Sequence, residues 1–386
     1  MPPSRSHVFL VPGFFGFANL GEIRYFGHVR RFLLDAGEAA GTMPHVHAVH
    51  TPPTASLVVR ARRLYEAIAA ATTARDRVVV IGHSSGGLDA RVLMAPGVDL
   101  GVSPRLVERV VRRVDTVVGV AVPYHGTPLA AAFGGALGAQ LLQMLSLATL
   151  YVLRYGKLPL AVLLRLGAVI ARLDRRLGMG TRLLEQLFSQ LLADFTPDRR
   201  RAIERFFRAV RSDQALLHQL TPAAASILQA TTTMRAGVRY GCVVTCARRP
   251  GLRTTLAAGM DASAQATHAI FVGLGRLARL DPDAALPRLT AVQSRAVRRA
   301  FGWVPGAHHS DGIVPTRSQV WGQVVAAVRA DHLDVLGHFD DPDRTPPHYD
   351  WLCSGAGYTR RDFEDTWRRV MRFSRVGPAG ARARAG

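Results

Sequence analysis

The sequence predicts an α/β fold, with a mostly parallel central sheet, helices on both faces and a helical insertion that forms a cap or lid. Three observations carry this expectation. Short apolar runs alternate with segments of helical period through the first part of the chain. A serine flanked by glycines, Gly82-His83-Ser84-Ser85-Gly86, stands where one such run gives way to a helical segment. The alternation is then lost between residues 126 and 235 and resumes afterwards.

Each element has its own signature. Val8 to Val11 is a continuous apolar run closed by Pro12-Gly13, as for a buried strand that ends in a sharp turn. Leu57, Ala61, Leu64, Ile68 and Ala71 fall on one helical face, and Arg60, Arg62, Arg63 and Glu66 are read as mostly off it. Arg77 to Ile81 carries a β-branched run that stops at Gly82, and helix-like sequence runs from Gly87 to Met94. Val114 to Val122 is another continuous apolar strand. Unbroken apolar strands alternating with helices are the pattern of a parallel sheet covered on both sides.

From Thr116 to Leu153 the chain has no Asp, Glu, Lys or Arg. The stretch Leu129 to Leu153 is long enough to cross a bilayer. A buried cap helix and a mobile apolar lid are the other readings, and Gln140, Gln143, Gly134, Gly135 and Gly138 count against a span. A second apolar stretch, Leu158 to Ala171, is interrupted by Arg165, and arginine-rich amphipathic helices continue to about Gln229. Val238 to Cys246 and Trp321 to Val328 read as the returning strands. The division expected is a first core part at 1–125, a helical cap or lid at 126–235, a second core part at 236–375 and a disordered tail at 376–386.

With 386 residues, 48% hydrophobic and 20% charged, the chain is long and apolar enough for a substantial core. Its net charge of +21 is almost all arginine, Lys157 being the sole lysine. The arginines are dispersed and no module interleaves them with aromatics, which points away from specific nucleic-acid binding and leaves attraction to anionic lipid surfaces open. Cys242, Cys246 and Cys353 make no disulfide framework and lack the spacing of zinc pairs, so they read as buried thiols. Met-Pro-Pro-Ser-Arg-Ser leads straight into a strand, and that apolar run is too short for a signal sequence. The expectation is a cytoplasmic protein, membrane association left open, or a chain given without its leader.

Gly82-His83-Ser84-Ser85-Gly86 matches the Gly-x-Ser-x-Gly pattern in the strand-then-helix context that pattern requires. The serine must sit in a strained turn for its hydroxyl to project above the sheet, and the positions two before and two after it are crowded, hence Gly82 and Gly86. The following helix points N–H groups at developing negative charge. Ser84 is the candidate nucleophile and Ser85 the rival hydroxyl.

The run Gly-His-Ser-Ser-Gly-Gly-Leu-Asp-Ala-Arg from Gly82 resembles the nucleophile elbow of bacterial triacylglycerol lipases, the group that includes the Pseudomonas and Burkholderia enzymes. Val-Phe-Leu-Val-Pro-Gly-Phe-Phe-Gly-Phe from Val8 resembles their first core strand and oxyanion loop, and Val-Gly-Val-Ala-Val-Pro-Tyr-His-Gly-Thr-Pro-Leu-Ala from Val118 resembles a later strand and its turn. The resemblance covers residues 7–130 and 236–340 in pieces and implies the α/β-hydrolase fold.

A serine hydroxyl needs a histidine to take its proton and a carboxylate to orient that histidine, in the chain order serine, acid, histidine. Ser310-Asp311-Gly312-Ile313-Val314 resembles the lipase segment that carries the acid, with Asp261, Asp281, Asp340 and Asp350 as weaker alternatives. Asp331-His332-Leu333-Asp334 resembles the segment that carries the base, with His338 and His308 as alternatives. His45, His47 and His50 read as polar strand positions, not a metal cluster. The resemblance places the oxyanion donors at the N–H groups of Ser85 and Phe14. Where the family has His-Gly before the second donor this chain has Pro12-Gly13, which removes a bracing side chain. The family's structural calcium is matched at Asp334, but its glutamine position is His338, a poor calcium ligand, and only Asp281 and Asp283 suggest a second aspartate. No other cofactor is expected. The implied activity is hydrolysis of acyl esters by a lipase or carboxylesterase. Acyl transfer by the same triad and a non-catalytic, membrane-peripheral lipid-binding protein are the alternatives.

Overall fold

The computed structural model describes residues 5–14, 25–134, 136–172, 180–281, 286–345, 347–350 and 352–376. Six strands, β1 (Ser6–Val11), β2 (His45–Ala48), β3 (Arg77–His83), β4 (Val114–Val120), β5 (Arg239–Thr245) and β6 (Gln323–Val328), form one sheet in the order β2-β1-β3-β4-β5-β6. Every neighbouring pair is parallel. Val78 to Ile81 of β3 are buried, as the unbroken apolar run demands, each side chain worth about 1.5–3 kcal/mol of burial.

Helices α1 (Gly27–Ala39), α2 (Leu57–Ala71), α3 (Ser85–Met94) and α4 (Pro104–Val111) connect the first four strands. From β1 the chain moves outward through α1 to β2, whereas from β3 it moves the other way through α3 to β4. Right-handed crossovers in opposite directions leave a crevice between the carboxyl ends of β1 and β3, the switch point at which open α/β sheets bind ligands. Val11 pairs with Gly82 in that last register position, so the loop after β1 and the turn after β3 begin at the same level.

Between β4 and β5 the described chain is helical: α5 (Pro128–Phe133), α6 (Ala136–Tyr155), α7 (Leu160–Arg172), α8 (Gly180–Ala193), α9 (Pro197–Ser212), α10 (Ala215–Gln219) and α11 (Pro222–Thr231). Leu141, Leu142, Met144, Leu145, Leu147 and Leu150 of α6 are buried, and α8 packs along it with Leu184, Leu187 and Leu191. The bilayer-span reading of 129–153 is therefore corrected, because protein covers this apolar surface and no helix among the described residues is long and apolar enough to cross a membrane.

Helices α12 (Leu252–Ala257), α13 (Ala262–Leu277) and α14 (Ala291–Phe301) link β5 to β6, and α15 (Arg360–Ser374) packs with α1. Cys242 and Cys246 are buried together with Val297 and Phe301, and all three cysteines are free thiols. Of the expected tail, Val376 is buried and the remainder lies outside the described residues.

Arg60 departs from the sequence reading. It lies inward on α2, fully buried, with Nε and Nη2 donating to the two oxygens of buried Asp89 on α3 at 2.9 and 2.7 Å. Its remaining donors reach the carbonyls of Pro12, Pro52 and Pro53. A buried guanidinium stripped of its carboxylate keeps its desolvation cost. Asp89→Ala is expected to lower unfolding free energy by about 3–5 kcal/mol, read as a shift of the urea midpoint at unchanged m-value.

Candidate functional site

Ser84 occupies the turn between β3 and α3 with φ 53° and ψ −133°, a conformation that costs a non-glycine residue about 1–3 kcal/mol. The turn is held by Ser84 N–H donating to Val120 O at 2.9 Å and Gly87 N–H donating to Ser84 O at 3.1 Å. Its crowding explains the flanking glycines. A Cβ on Gly82 would lie 2.4 Å from the Gly87 nitrogen, and one on Gly86 would lie 2.2 Å from the Val11 oxygen. A Cβ on Gly13 would lie 2.7 Å from Ser84 Cβ, so the loop leaving β1 passes directly beside the serine. Ser85, the rival hydroxyl, is fully buried, with its Oγ enclosed and unbonded.

Asp311 and His332 are brought together, and His332 lines the same cavity as Ser84. His332 Nδ1 lies 2.8 Å from Asp311 Oδ2. A carboxylate only accepts, so Nδ1 carries a proton and Nε2 is the ring nitrogen that Asp311 does not engage. The fully buried Asp311 is fixed independently of the histidine. Its Oδ1 accepts from the N–H groups of Ile313 and Val314 at 3.0 and 2.7 Å, while Thr245 Oγ1 and Gln319 Nε2 lie 2.7 and 3.0 Å from Oδ2. His332 N–H also donates to Asp311 O at 3.0 Å. None of Asp261, Asp340 and Asp350 is hydrogen-bonded to a histidine ring, and Asp261 instead caps α13. Asp281 lies just beyond that helix.

A second histidine, His83, was not singled out by the sequence reading because it fills the variable position before the serine. Its Nε2 donates to His332 O at 2.9 Å, which leaves Nδ1 to accept from the Tyr25 hydroxyl at 2.7 Å. Tyr25 in turn accepts from Gly13 N–H at 3.3 Å. Burial, and then the neighbouring His332, push the His83 pKa well below its usual value, so the ring stays neutral in one tautomer. This buried path joins the His332 loop, the β3 turn and the loop after β1. With the Arg60 bond to Pro12 O, it supplies the bracing that Pro12-Gly13 lacks.

Ser84, His332 and Phe14 line one cavity. Apart from Ser84, Thr127 and His332 its lining side chains are apolar, and the Thr127 hydroxyl is occupied by Ile313 O at 2.7 Å. Phe133, Leu142, Leu145, Leu217 and Leu220 reach it from the helices between β4 and β5. Ser84 and His332 line the same cavity without a hydrogen bond between them.

Asp331, Asp334 and Asp350 bring one carboxylate oxygen each within 4.8 Å of one another, the one such potential metal-binding group among the described residues. Burial first, then mutual repulsion, push Asp334 and Asp350 well above the usual carboxylate range, and burial raises Asp331 to about 6. Asp331 Oδ2 is buried without a hydrogen bond. Three hard oxygens confined together suit a divalent cation such as calcium. Asp334 was legible in the sequence, but its partners are Asp331 and Asp350, not Asp281, and Asp283 lies outside the described residues. His338 is absent from the cluster and packs near His28 instead. At the far sheet edge, His47 Nε2 lies 3.0 Å from His7 Nδ1.

Tyr25→Phe removes the hydroxyl that serves both Gly13 N–H and His83. The variant is expected to lose about 1–3 kcal/mol of stability, measured by chemical denaturation.

Residues 40–139 match the sequence model of a family described as Lipase (class 2). No curated protein matches the chain by sequence. Among solved structures, the lipase of Staphylococcus hyicus superposes with a TM-score of 0.53 at 13% identity, over 99% of this chain and 98% of that one. EstA of Clostridium botulinum gives 0.52 at 18% identity, over 93% and 88%, and lipase 1 of Pelosinus fermentans gives 0.52 at 15%, over 95% and 98%. The chain has the α/β-hydrolase fold, shared with these bacterial lipases and esterases.

Proposed function

We propose that the protein hydrolyses carboxylic esters with apolar acyl chains, as a lipase or carboxylesterase, through Ser84, His332 and Asp311. The observation that carries this is the apolar cavity that Ser84 and His332 line together, with Asp311 hydrogen-bonded to the far nitrogen of that histidine. The lipase-family match over 40–139 and the lipase and esterase structures that share the fold agree with it.

Ser84 Oγ attacks the ester carbonyl carbon as its proton passes to His332 Nε2. Asp311, held by four donors besides the histidine, stabilises the imidazolium without taking its proton. The oxyanion is received by the N–H of Ser85, first in α3 and so without an intrahelical acceptor, and by the N–H of Phe14 beside the crowded Gly13 contact. Each such donor is worth about 3–4 kcal/mol in the transition state. The carbon–oxygen bond breaks, the proton moves from His332 to the leaving alkoxide, and water then attacks the acyl-enzyme by the same route. Residues 126–235 act as the cap, contributing leucines to the acyl pocket and excluding water.

Asp331, Asp334 and Asp350 would hold calcium next to the His332 loop. The ion would supply positive charge that lets all three carboxylates ionise and would fix that loop, taking no part in bond breaking.

Turnover of p-nitrophenyl acyl esters should fall by about 10⁴-fold or more in Ser84→Ala, and a serine-directed phosphonate should label Ser84 alone. Undiminished turnover removes the proposal, and ester exchange outpacing hydrolysis when alcohol is added would reassign the activity to acyl transfer. For the cation, a chelator should lower Tm by roughly 3 °C or more, calcium should restore it, and Asp334→Asn should abolish the response.

A further inference from the structure

Among the described residues, the two most exposed large apolar side chains, Leu252 and Met260, lie on α12 and the turn after it, not on residues 129–153. Helix α12 is inside out. Leu252 and Leu256, one turn apart, are 86% and 62% exposed, while Thr254 between them is 4% exposed. Thr254 is held down by its own turn, its Oγ1 accepting from Gly251 N–H at 2.8 Å. Met260, just beyond, is 79% exposed. A surface helix of a protein surrounded only by water buries its leucines and exposes its threonine.

This face has a cationic border. Arg248, Arg249 and Arg329 line an open depression with Trp303 and His309 and no carboxylate. Arg329 sits 4.8 Å over the Trp303 ring and donates to Phe301 O at 2.9 Å, and among the described residues neither Arg248 nor Arg249 forms an ion pair. Arg253, on α12 itself, is also exposed. Residue 248 follows the carboxyl end of β5, the same sheet edge on which Ser84 follows β3. Arg248 and Ser84 therefore follow strands that end at the same end of the sheet.

We propose that residues 248–260, with Arg329 and Trp303, dock on an anionic phospholipid bilayer. Leu252, Leu256 and Met260 enter the boundary between headgroups and acyl chains, and Arg248, Arg249 and Arg329 receive headgroup phosphates. Charge complementarity selects this occupant. Apolar side chains bordered by unpaired guanidinium groups, on a chain of net charge +21, match a surface that is both greasy and polyanionic. The proposal goes beyond ester cleavage, and its readout needs no turnover.

The test is co-flotation of the full chain with phosphatidylcholine vesicles, with or without phosphatidylglycerol. The wild type should bind the anionic vesicles at least about tenfold more tightly, and Leu252→Glu/Leu256→Glu and Arg248→Glu/Arg249→Glu should each lose about tenfold or more, with Tm unchanged. Brominated acyl chains should quench wild-type fluorescence and quench Trp303→Phe less, a reading that does not depend on the charge variants folding. Equal binding to both vesicle types, or wild-type binding by both charge variants, overturns the proposal. Displacement by millimolar inorganic phosphate with an unaffected leucine variant also overturns it, by identifying a free-anion site.

Discussion

The buried pair of Arg60 and Asp89 fastens together the pieces on which the site depends. Asp89 rides on α3, the helix that begins immediately after Ser84, and Arg60 on α2 also grips the carbonyl of Pro12 at the end of β1. Two fully buried charges are costly, and burial pulls the Asp89 carboxyl up to about 6 against the opposing influence of Arg60. An apolar pair of similar volume would fill the space but could not bond to a carbonyl on a third element. What the pair contributes is therefore position. It sets the loop after β1 against the β3 turn, where the clearance is too small for a side chain at Gly13 or Gly86.

The His83 path extends the same constraint to the third loop of the site. A carbonyl accepts and does not donate, so contact with His332 O forces the proton onto His83 Nε2, and Tyr25 must then donate to Nδ1. The Tyr25 oxygen is left to accept from Gly13. Each bond fixes the direction of the next, so the network has a single arrangement while His83 is neutral, and burial keeps it neutral. From behind, α15 holds the segment that follows His332, with Trp367 Nε1 donating to Val335 O at 2.8 Å. The histidine loop is thus gripped from the sheet side and the helix side.

What was legible in the sequence follows from the range of the forces involved. The sheet strands could be read because a strand buried on both faces must be apolar at every position, as Val78 to Ile81 are. Gly82, Ser84 and Gly86 could be read because their crowding arises within one turn. Asp311 and His332 could be proposed from local segments, although their contact spans 21 positions. Arg60 could not be placed, since helical periodicity treats any arginine as solvent-facing and its partner is 29 positions away. Tyr25 and His83 are 58 positions apart and follow no pattern. Asp350 was weighed as a possible catalytic acid, and only the folded chain brings it to Asp331 and Asp334.

The two apolar surfaces make the same point about composition. Residues 129–153 are the most apolar stretch of the chain, but α6 spends that apolarity inward, on α8 and on the cavity, because a helix within a helical layer has neighbours on most sides. Residues 248–260 have an unremarkable composition, with arginines, threonines and a proline among the leucines. Yet Thr254 claims the inward side through its capping bonds, and a helix this short then has no second face on which to hide Leu252 and Leu256. A local polar anchor thus turns ordinary composition into exposed apolar surface. Hydropathy averaged along the sequence cannot register that inversion, because it counts side chains without knowing which of them the backbone has committed to the interior.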